Sequence, residues 1–368
     1  MPTVYGQQAF VPAPLPPKLD IAKVALNLAS AMRAIGELRG ASMLLANPHI
    51  LIRPLQRLEA QTSSAMEGTF TTTDDLVMAE ANLAKSPKLA AIEVNNYSRA
   101  LEWSVKKLAE LPLSARLFKG AHKILLDHVG SQRGQNRQPG EFARDQNMIG
   151  GASIEAARFI PPPPAETVAC MSALEKYLNR GDKNPAFALI DMALVHYQFE
   201  TIHPFADGNG RVGRMLISIM AVSEGLLERP VLYVSPELEQ HKDTYIDLMY
   251  DISGKGAWEA FVGFFLDIVT QSCRRSIDTI HRILDLQQRY QEDARARSRS
   301  SNMTTVIDML FDTPFIRPRD IVEKTGITDA AARNLLRQLT EIGILVRRKQ
   351  FYPTIWVAEE LLEVSRPK

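Results

Sequence analysis

The stretch His203–Arg214, HPFADGNGRVGR, puts a histidine, an aspartate, an asparagine, three glycines and two arginines into twelve residues. Glycines directly ahead of a helix let backbone N–H groups approach a ligand. Those N–H groups have no partner in the first turn and, with the helix dipole, attract an anion. Gly208 and Gly210 permit that tight path, and Asn209 offers a further amide donor. Arg211 and Arg214 are three apart, so on a helix they share a face and can clamp two neighbouring phosphates. Asp207 stands just ahead of the cradle. Magnesium favours one or two carboxylates plus phosphates and water, which makes Asp207 a candidate Mg²⁺ ligand. His203 can take a proton from an attacking hydroxyl near neutral pH. Pro204 fixes the turn, and Phe205 is an apolar residue that buries, although it lies within the nucleotide-binding stretch. Together these residues read as a magnesium–nucleotide site with a base for a nucleophile. A two-histidine metal site using His196 and His203 finds no third ligand at matching spacing.

The elements that must position this stretch are helical. PAFALIDMALVHYQFETI runs into the motif, and MLISIMAVSEG runs out of it. Helical spacing also marks IAKVALNLASAMRAIGEL, ETVACMSALEKYLNR, HKDTYIDLMYDI and the long AWEAFVGFFLDIVTQSCRRSIDTIHRILDLQQRY. Residues 1–17 are proline-rich and read as an extended strap across the body. ARDQNMIGGASIEAARFIPPPP, with paired glycines and four prolines, breaks the helical pattern. It reads either as a surface linker or as an extended flap beside the site. QEDARARSRSSN marks a helix end and a linker, with a boundary near Ser300. Beyond it, RPRDIVEKTG and ITDAAARNLLRQLTEIG predict two short helices, and ILVRRKQFYPTIWVA a two-stranded hairpin. That order is a helix–turn–helix with a wing.

The 368 residues carry a formal charge of +1, with 45% hydrophobic and 23% charged residues, so no bulk pull toward nucleic acid or anionic lipid is expected. Two cysteines make no disulfide framework. No run reaches the roughly 18 apolar residues of a membrane span, and the N-terminus lacks a signal-peptide pattern. A cytoplasmic protein without membrane contact is expected.

HPFADGNGRVGR resembles the full signature of the Fic family, H-x-F-x-[DE]-G-N-G-R-x-x-R, without departure. PGEFARDQNMIGG and ARFIPPPP resemble the segment that forms that family's β-hairpin flap. The resemblance covers about residues 20–290, and the tail resembles the winged-helix extension of some bacterial members. It implies a mainly α Fic fold with a small flap. The expected parts are an N-terminal helical region (1–110), a catalytic core (111–290) and a winged-helix-like domain (301–368). It implies transfer of AMP from ATP to a Tyr, Thr or Ser hydroxyl of a protein, the chain itself included, with release of diphosphate. His203 would be the base and Asp207 the Mg²⁺ ligand. Residues 208–210 would cradle phosphates, and Arg211 with Arg214 would grip the β and γ groups. A relative that transfers phosphate has lysine where Gly210 stands, so glycine favours attack at the α-phosphorus.

TSSAMEGT sets Ser63 four residues before Glu67 with Gly68 after it, which resembles the family's inhibitory motif [ST]-x-x-x-E-[GN]. Such a motif implies that Glu67 pairs with Arg214 and denies it to the γ-phosphate. In the flap, Met148, Ile149 and Gly150 would offer a strand edge to the target. Tyr245 is either an adenine wall or a core tyrosine. Homodimerisation is expected as a way to tune the brake. Two other functions use the same residues. One is hydrolytic removal of AMP with Glu67 positioning a water. The other is a DNA-binding regulator reading through Arg333 and Arg337 on the recognition helix and Arg347, Arg348 and Lys349 on the wing. Ten lysines and arginines against nine acids in residues 301–368 give that module little excess charge for DNA.

Overall fold

A computed structural model describes residues 1–3, 5–43, 48–80, 87–129, 138–297, 300–348 and 354–364. Apolar spacing between residues 25 and 107 yields α1 (Ala25–Met43), α2 (Pro48–Met66), α3 (Thr73–Glu80) and α4 (Leu89–Lys107). A 3₁₀ turn, Ile21–Val24, leads into α1, and the Asp20 side chain caps it by accepting from the Ala22 N–H. There follow α5 (Ala115–Leu125), α6 (Pro164–Leu178), α7 (Ala188–Ile202) and α8 (Asn209–Ser223). Next come α9 (Ser235–Gln240), α10 (Lys242–Lys255) and the 40-residue α11 (Trp258–Arg297).

The core is built around α7 and α8. Every residue of α7 except Glu200 is buried, as is α8 from Asn209 to Ala221. A helix apolar on all sides belongs inside, and α6, α8 and α11 surround α7. α2 is anchored from within. The buried Glu59 carboxylate accepts from Tyr97 Oη on α4 at 3.0 Å, and from Ser235 N and Oγ at the start of α9 at 3.0 and 2.6 Å. Burial raises the Glu59 pKa, and these three donors oppose that rise. The anchor fixes where the end of α2 falls, four to eight residues on.

α5 and α4 approach closely at Gly120, where a Cβ would lie 2.1 Å from the Trp103 ring. Gly120→Ala should therefore cost about 1–3 kcal/mol through overpacking, despite alanine's better helix propensity. A lower denaturant midpoint with unchanged slope would register it.

The C-terminal region comprises α12 (Ser301–Asp312), β1 (Phe315–Ile316), α13 (Pro318–Thr325), α14 (Asp329–Glu341), β2 (Val346–Arg348), β3 (Ile355–Val357) and α15 (Glu359–Val364). Its antiparallel sheet has the order β1–β3–β2, with Phe315 and Val346 both opposite Val357. The sequence reading had marked neither α12 nor β1. α12 packs on α11 and α2, and its buried Met303, Val306, Ile307, Leu310 and Phe311 join the same apolar cluster as α7 and α8. No described helix is long and apolar enough to cross a membrane.

Candidate active site

α7 ends at His203, whose backbone takes the left-handed conformation (φ 50°, ψ 55°) while its N–H bonds Phe199 O at 3.0 Å. That region is strained for a side chain with a Cβ and recurs at functional sites. His203 Nδ1 lies 3.2 Å from the Glu200 carbonyl. A carbonyl only accepts, so Nδ1 carries the proton and Nε2 keeps its lone pair. Burial holds the imidazole pKa below its usual value, against the Glu200 carbonyl and the Glu67 and Asp207 carboxylates, which raise it. A neutral imidazole results, as a base requires.

The loop after His203 is held from beneath and from its side. Phe205 is fully buried, stacked on His122 at 3.9 Å and 10° and tilted against Phe142 and Phe199. His122 Nε2 donates to Asp207 O at 2.9 Å, and its Nδ1 accepts from Gly140 N at 2.8 Å. Asn147 Nδ2 ties the flap to the loop through His203 O and Phe205 O at 2.7 and 2.8 Å. Gly208, at φ 79°, makes the turn into α8. The first described intrahelical bond of α8 is Val212 N to Gly208 O, and the N–H groups of residues 209–211 ahead of it form none among the described residues. Unbonded N–H groups at a helix N-terminus can receive an anion.

Three assignments change. Asn209 is no free donor: Oδ1 accepts from Phe205 N at 2.8 Å and Nδ2 donates to Phe205 O at 2.6 Å, so the amide locks the loop. Asn209→Ala would strand both buried Phe205 groups and should cost about 2–4 kcal/mol, read as a lower unfolding midpoint. Arg211 does not share a clamp with Arg214. It is fully buried, paired with Glu93 of α4 and 3.3 Å from Asp207 Oδ1, and lies off the cavity wall. Phe205 also lies off that wall, supporting the loop from below.

The cavity over the loop has a volume of about 360 Å³, within the range of small-ligand sites. His203, Gly210 and Arg214 line it, and Glu67 stands among them. Glu67 follows the end of α2, and Gly68 turns the chain away at φ 79°. Its Oε1 accepts from Arg214 Nη2 at 2.7 Å, while Ser63 receives Nε on Oγ at 2.9 Å and Nη2 on its carbonyl at 2.8 Å. The space above Gly210 is taken: a Cβ there would meet Glu67 Oε1 at 2.1 Å. Tyr245 lines the same cavity, but its hydroxyl bonds His196 Nε2 at 2.9 Å. The other nitrogen of His196 faces Gly213 O at 3.1 Å, and burial lowers its pKa to about 3. His196 is therefore a neutral core residue, and the two-histidine metal site is not formed. No cluster of three or more potential metal ligands occurs among the described residues. The Asp207 carboxylate is partly exposed, with Oδ1 facing Arg211. A single open carboxylate beside a phosphate cradle fits magnesium that brings phosphate and water as its other ligands.

The flap is a hairpin closed by one antiparallel bridge, Ile149 to Phe159, with paired bonds of 2.9 and 3.0 Å. Ile149 and Gly150 line the cavity, and Met148 is exposed. The N-terminal strap crosses this region, bonding Ile160 O through Phe10 N at 2.9 Å. Sequence reasoning missed Glu200, a cavity carboxyl in the last turn of α7, and Glu93, which claims Arg211. An acid in the last turn of a mostly apolar helix, three residues before His203, was the available signal for the first. In the C-terminal region, Arg333 and Arg337 pair with Asp329 and Glu341 one turn away at 2.6 Å each, and Arg348 pairs with Glu359. Arg347 lies over the Trp356 ring, and Lys349 falls outside the described residues.

Residues 25–106 match the Fic/DOC family N-terminal region, and residues 112–221 match the Fic/DOC family. A relative named protein adenylyltransferase Fic from Drosophila grimshawi is 30% identical over 209 residues, covering 56% of this chain and 37% of that protein. One of the same name from Culex quinquefasciatus is 32% identical over 146 residues, covering 40% and 25%. The chain thus spans about a third of the length of these curated relatives. A solved Fic family protein from Desulfovibrio desulfuricans G20 shares the fold at a TM-score of 0.60 and 18% identity, over 94% of this chain and 98% of that one. Fic-1 (aa134–508) from C. elegans does so at 0.54 and 18%, over 71% and 75%. The two matched regions adjoin, run from α1 through α8 and take in both the His203–Arg214 loop and the end of α2, so the chain belongs to the Fic/DOC family.

Proposed function

We propose that this chain transfers AMP from ATP to a protein hydroxyl and that Glu67 holds the reaction in check. The observation that carries the reading is the seat of the Glu67 carboxylate, over Gly210 and on Arg214, beside a neutral imidazole. It stands where the outer phosphates of a nucleotide on the α8 N-terminus would go. In the reaction, His203 Nε2 takes the proton of the incoming Tyr, Thr or Ser hydroxyl as its oxygen bonds the α-phosphorus. The bond from that phosphorus to the bridging β-oxygen breaks, and diphosphate leaves. The free N–H groups at residues 209–211 meet charge growing on the phosphoryl oxygens. Arg214 grips the outer phosphates once Glu67 withdraws, and Arg211 instead braces Asp207 from behind. Asp207 would hold magnesium, which neutralises phosphate charge when bound. The names of the curated relatives, protein adenylyltransferase Fic, support the same chemistry.

The exposed Met148 beside the bridged Ile149 suits addition of a target strand, which brings a hydroxyl to His203 with little demand on target sequence. Self-modification follows from the same tolerance. We read residues 1–110 as the brake-bearing region, 111–290 as the catalytic core and 301–368 as a winged helix. A homodimer would be one way to tune the brake. With Arg333, Arg337 and Arg348 already paired to carboxylates, the C-terminal unit suits protein contacts better than DNA.

Intact-mass measurement after incubation with ATP and Mg²⁺ tests the activity. The Glu67→Gly chain should gain the mass of AMP. A gain of phosphate, or no gain at all, overturns the reading. The reverse reaction draws support from the closeness of Glu67 to His203, whose charges interact. Loss of AMP from a pre-labelled chain only when Glu67 is intact would establish it.

A further inference from the structure

Two glycines of α8, one turn apart, each leave room for a carboxyl group. A Cβ on Gly210 would meet Glu67 Oε1 at 2.1 Å, and a Cβ on Gly213 would meet Glu200 Oε1 at the same distance. Arg214 follows Gly213 directly, its Nη1 would lie 2.9 Å from a Cβ on Gly210, and both acids act on its charge. Its bonds are unequal. Nε and Nη2 are used by Ser63 and Glu67, while Nη1 forms none among the described residues. Glu200 lines the cavity, yet its buried Oε1 has no hydrogen-bond partner there. An unpartnered buried carboxyl oxygen beside a guanidinium is costly unless another state uses it.

We propose that Glu200 is the reserve partner of Arg214: when Glu67 withdraws, Glu200 takes the guanidinium from the Gly213 side and holds it aimed at the outer phosphates of ATP. This rests on the adenylyl-transfer reading for its nucleotide but concerns a residue that reading does not use. The electrostatics agree in sign. Burial raises the Glu200 pKa to about 7, Arg214 lowers it and Glu67 raises it. Removing Glu67 therefore makes Glu200 the stronger acid, so opening the brake releases a proton. The closed state is favoured by protonated Glu200 and loses that advantage as pH rises through about 7.

Besides Glu67, the charged or titratable groups around it among the described residues are His196 within α7, His203 just beyond it, Lys242, Tyr245 and Tyr250 of α10, Arg158 of the flap and Arg214 of α8. Both histidines have lowered pKa values and Tyr245 a raised one, so none of the three opposes the sign above pH 6.5.

The experiment uses the full chain as Glu67→Gly and as Glu67→Gly/Glu200→Gln, titrated with ATP and separately with AMP. Glutamine keeps the shape and removes the charge. ATP affinity should fall about tenfold on adding Glu200→Gln. AMP affinity should not change, because AMP has no outer phosphates for Arg214 to grip. In the chain that retains Glu67, self-labelling should rise from about pH 6.5 to about pH 8. Glu200→Gln should flatten that rise. Unchanged ATP affinity in the double variant overturns the proposal, as does an equal loss of AMP affinity, which would mean a damaged pocket. Should Glu67→Gly take up no AMP, the transferase reading fails, while the ATP and AMP titrations still decide the role of Glu200.

Discussion

Replacing Glu67 with glycine should raise self-adenylylation on the order of 10²-fold, measured as incorporation of labelled ATP by purified chain. Burial opposes a charged Glu67, yet the Arg214 guanidinium, by charge and hydrogen bond, holds its pKa below the usual carboxylate value. At neutral pH the carboxylate is thus ionised and paired, and mild acid does not release it. While it sits 2.7 Å from Arg214 Nη2 and over Gly210, ATP can engage the α8 N–H groups only with its tail displaced. A displacement of about 1 Å spoils in-line attack by the stated factor. Glycine removes the carboxylate and leaves Arg214 on Ser63, which is anchored with α2 through Glu59. The guanidinium therefore stays at the cavity, where Glu200 would complete its hold for the phosphates. Equal labelling by the parent and the variant would sink the brake.

The helix start and the turn ahead of it were legible in the sequence, because residue type and order suffice to predict a helix-start anion site. Glycine before a helix, a carboxylate ahead of it and a histidine at the preceding helix end need no tertiary information. What failed needed it. Arg211 and Arg214 do share a helix face by spacing, but Glu93, 118 positions away, claims Arg211, and no local pattern announces that partner. Asn209 looked like a ligand donor since its amide is polar and beside glycines. The four-residue reach back to Phe205, which consumes both ends of the amide, depends on the left-handed turns at His203 and Gly208. Glu200 went unremarked because the surrounding helix read as core. There the acid itself was the clue, as buried carboxyls need a reason. α12 was masked by the serine- and arginine-rich residues ahead of it, and β1 is two residues long, too short for any alternation.

In the Glu67→Gly background, His203→Ala should reduce AMP transfer by about 10²–10⁴-fold while leaving ATP affinity nearly unchanged. The split follows from placement. His203 lines the cavity, and with its Nδ1 committed to Glu200 O the Nε2 lone pair is left for an incoming hydroxyl. The cradle itself, Gly208 to Arg211, is held by His122, Asn209 and Phe205, none of which the substitution touches. Binding should survive and chemistry should not. The pH profile offers an independent check on the same group. Burial lowers the His203 pKa and the Glu67 carboxylate raises it, so removing Glu67 lowers it further. Transfer by Glu67→Gly should therefore stay level from about pH 7 to about pH 8 and fall only on the acid side, below the ordinary histidine value of about 6.5. Labelling that persists in the double variant, or an acid limb that does not disappear with the imidazole, would assign the proton to another group. Among the described lining residues the carboxyl then left is Glu200, seated on the Gly213 side.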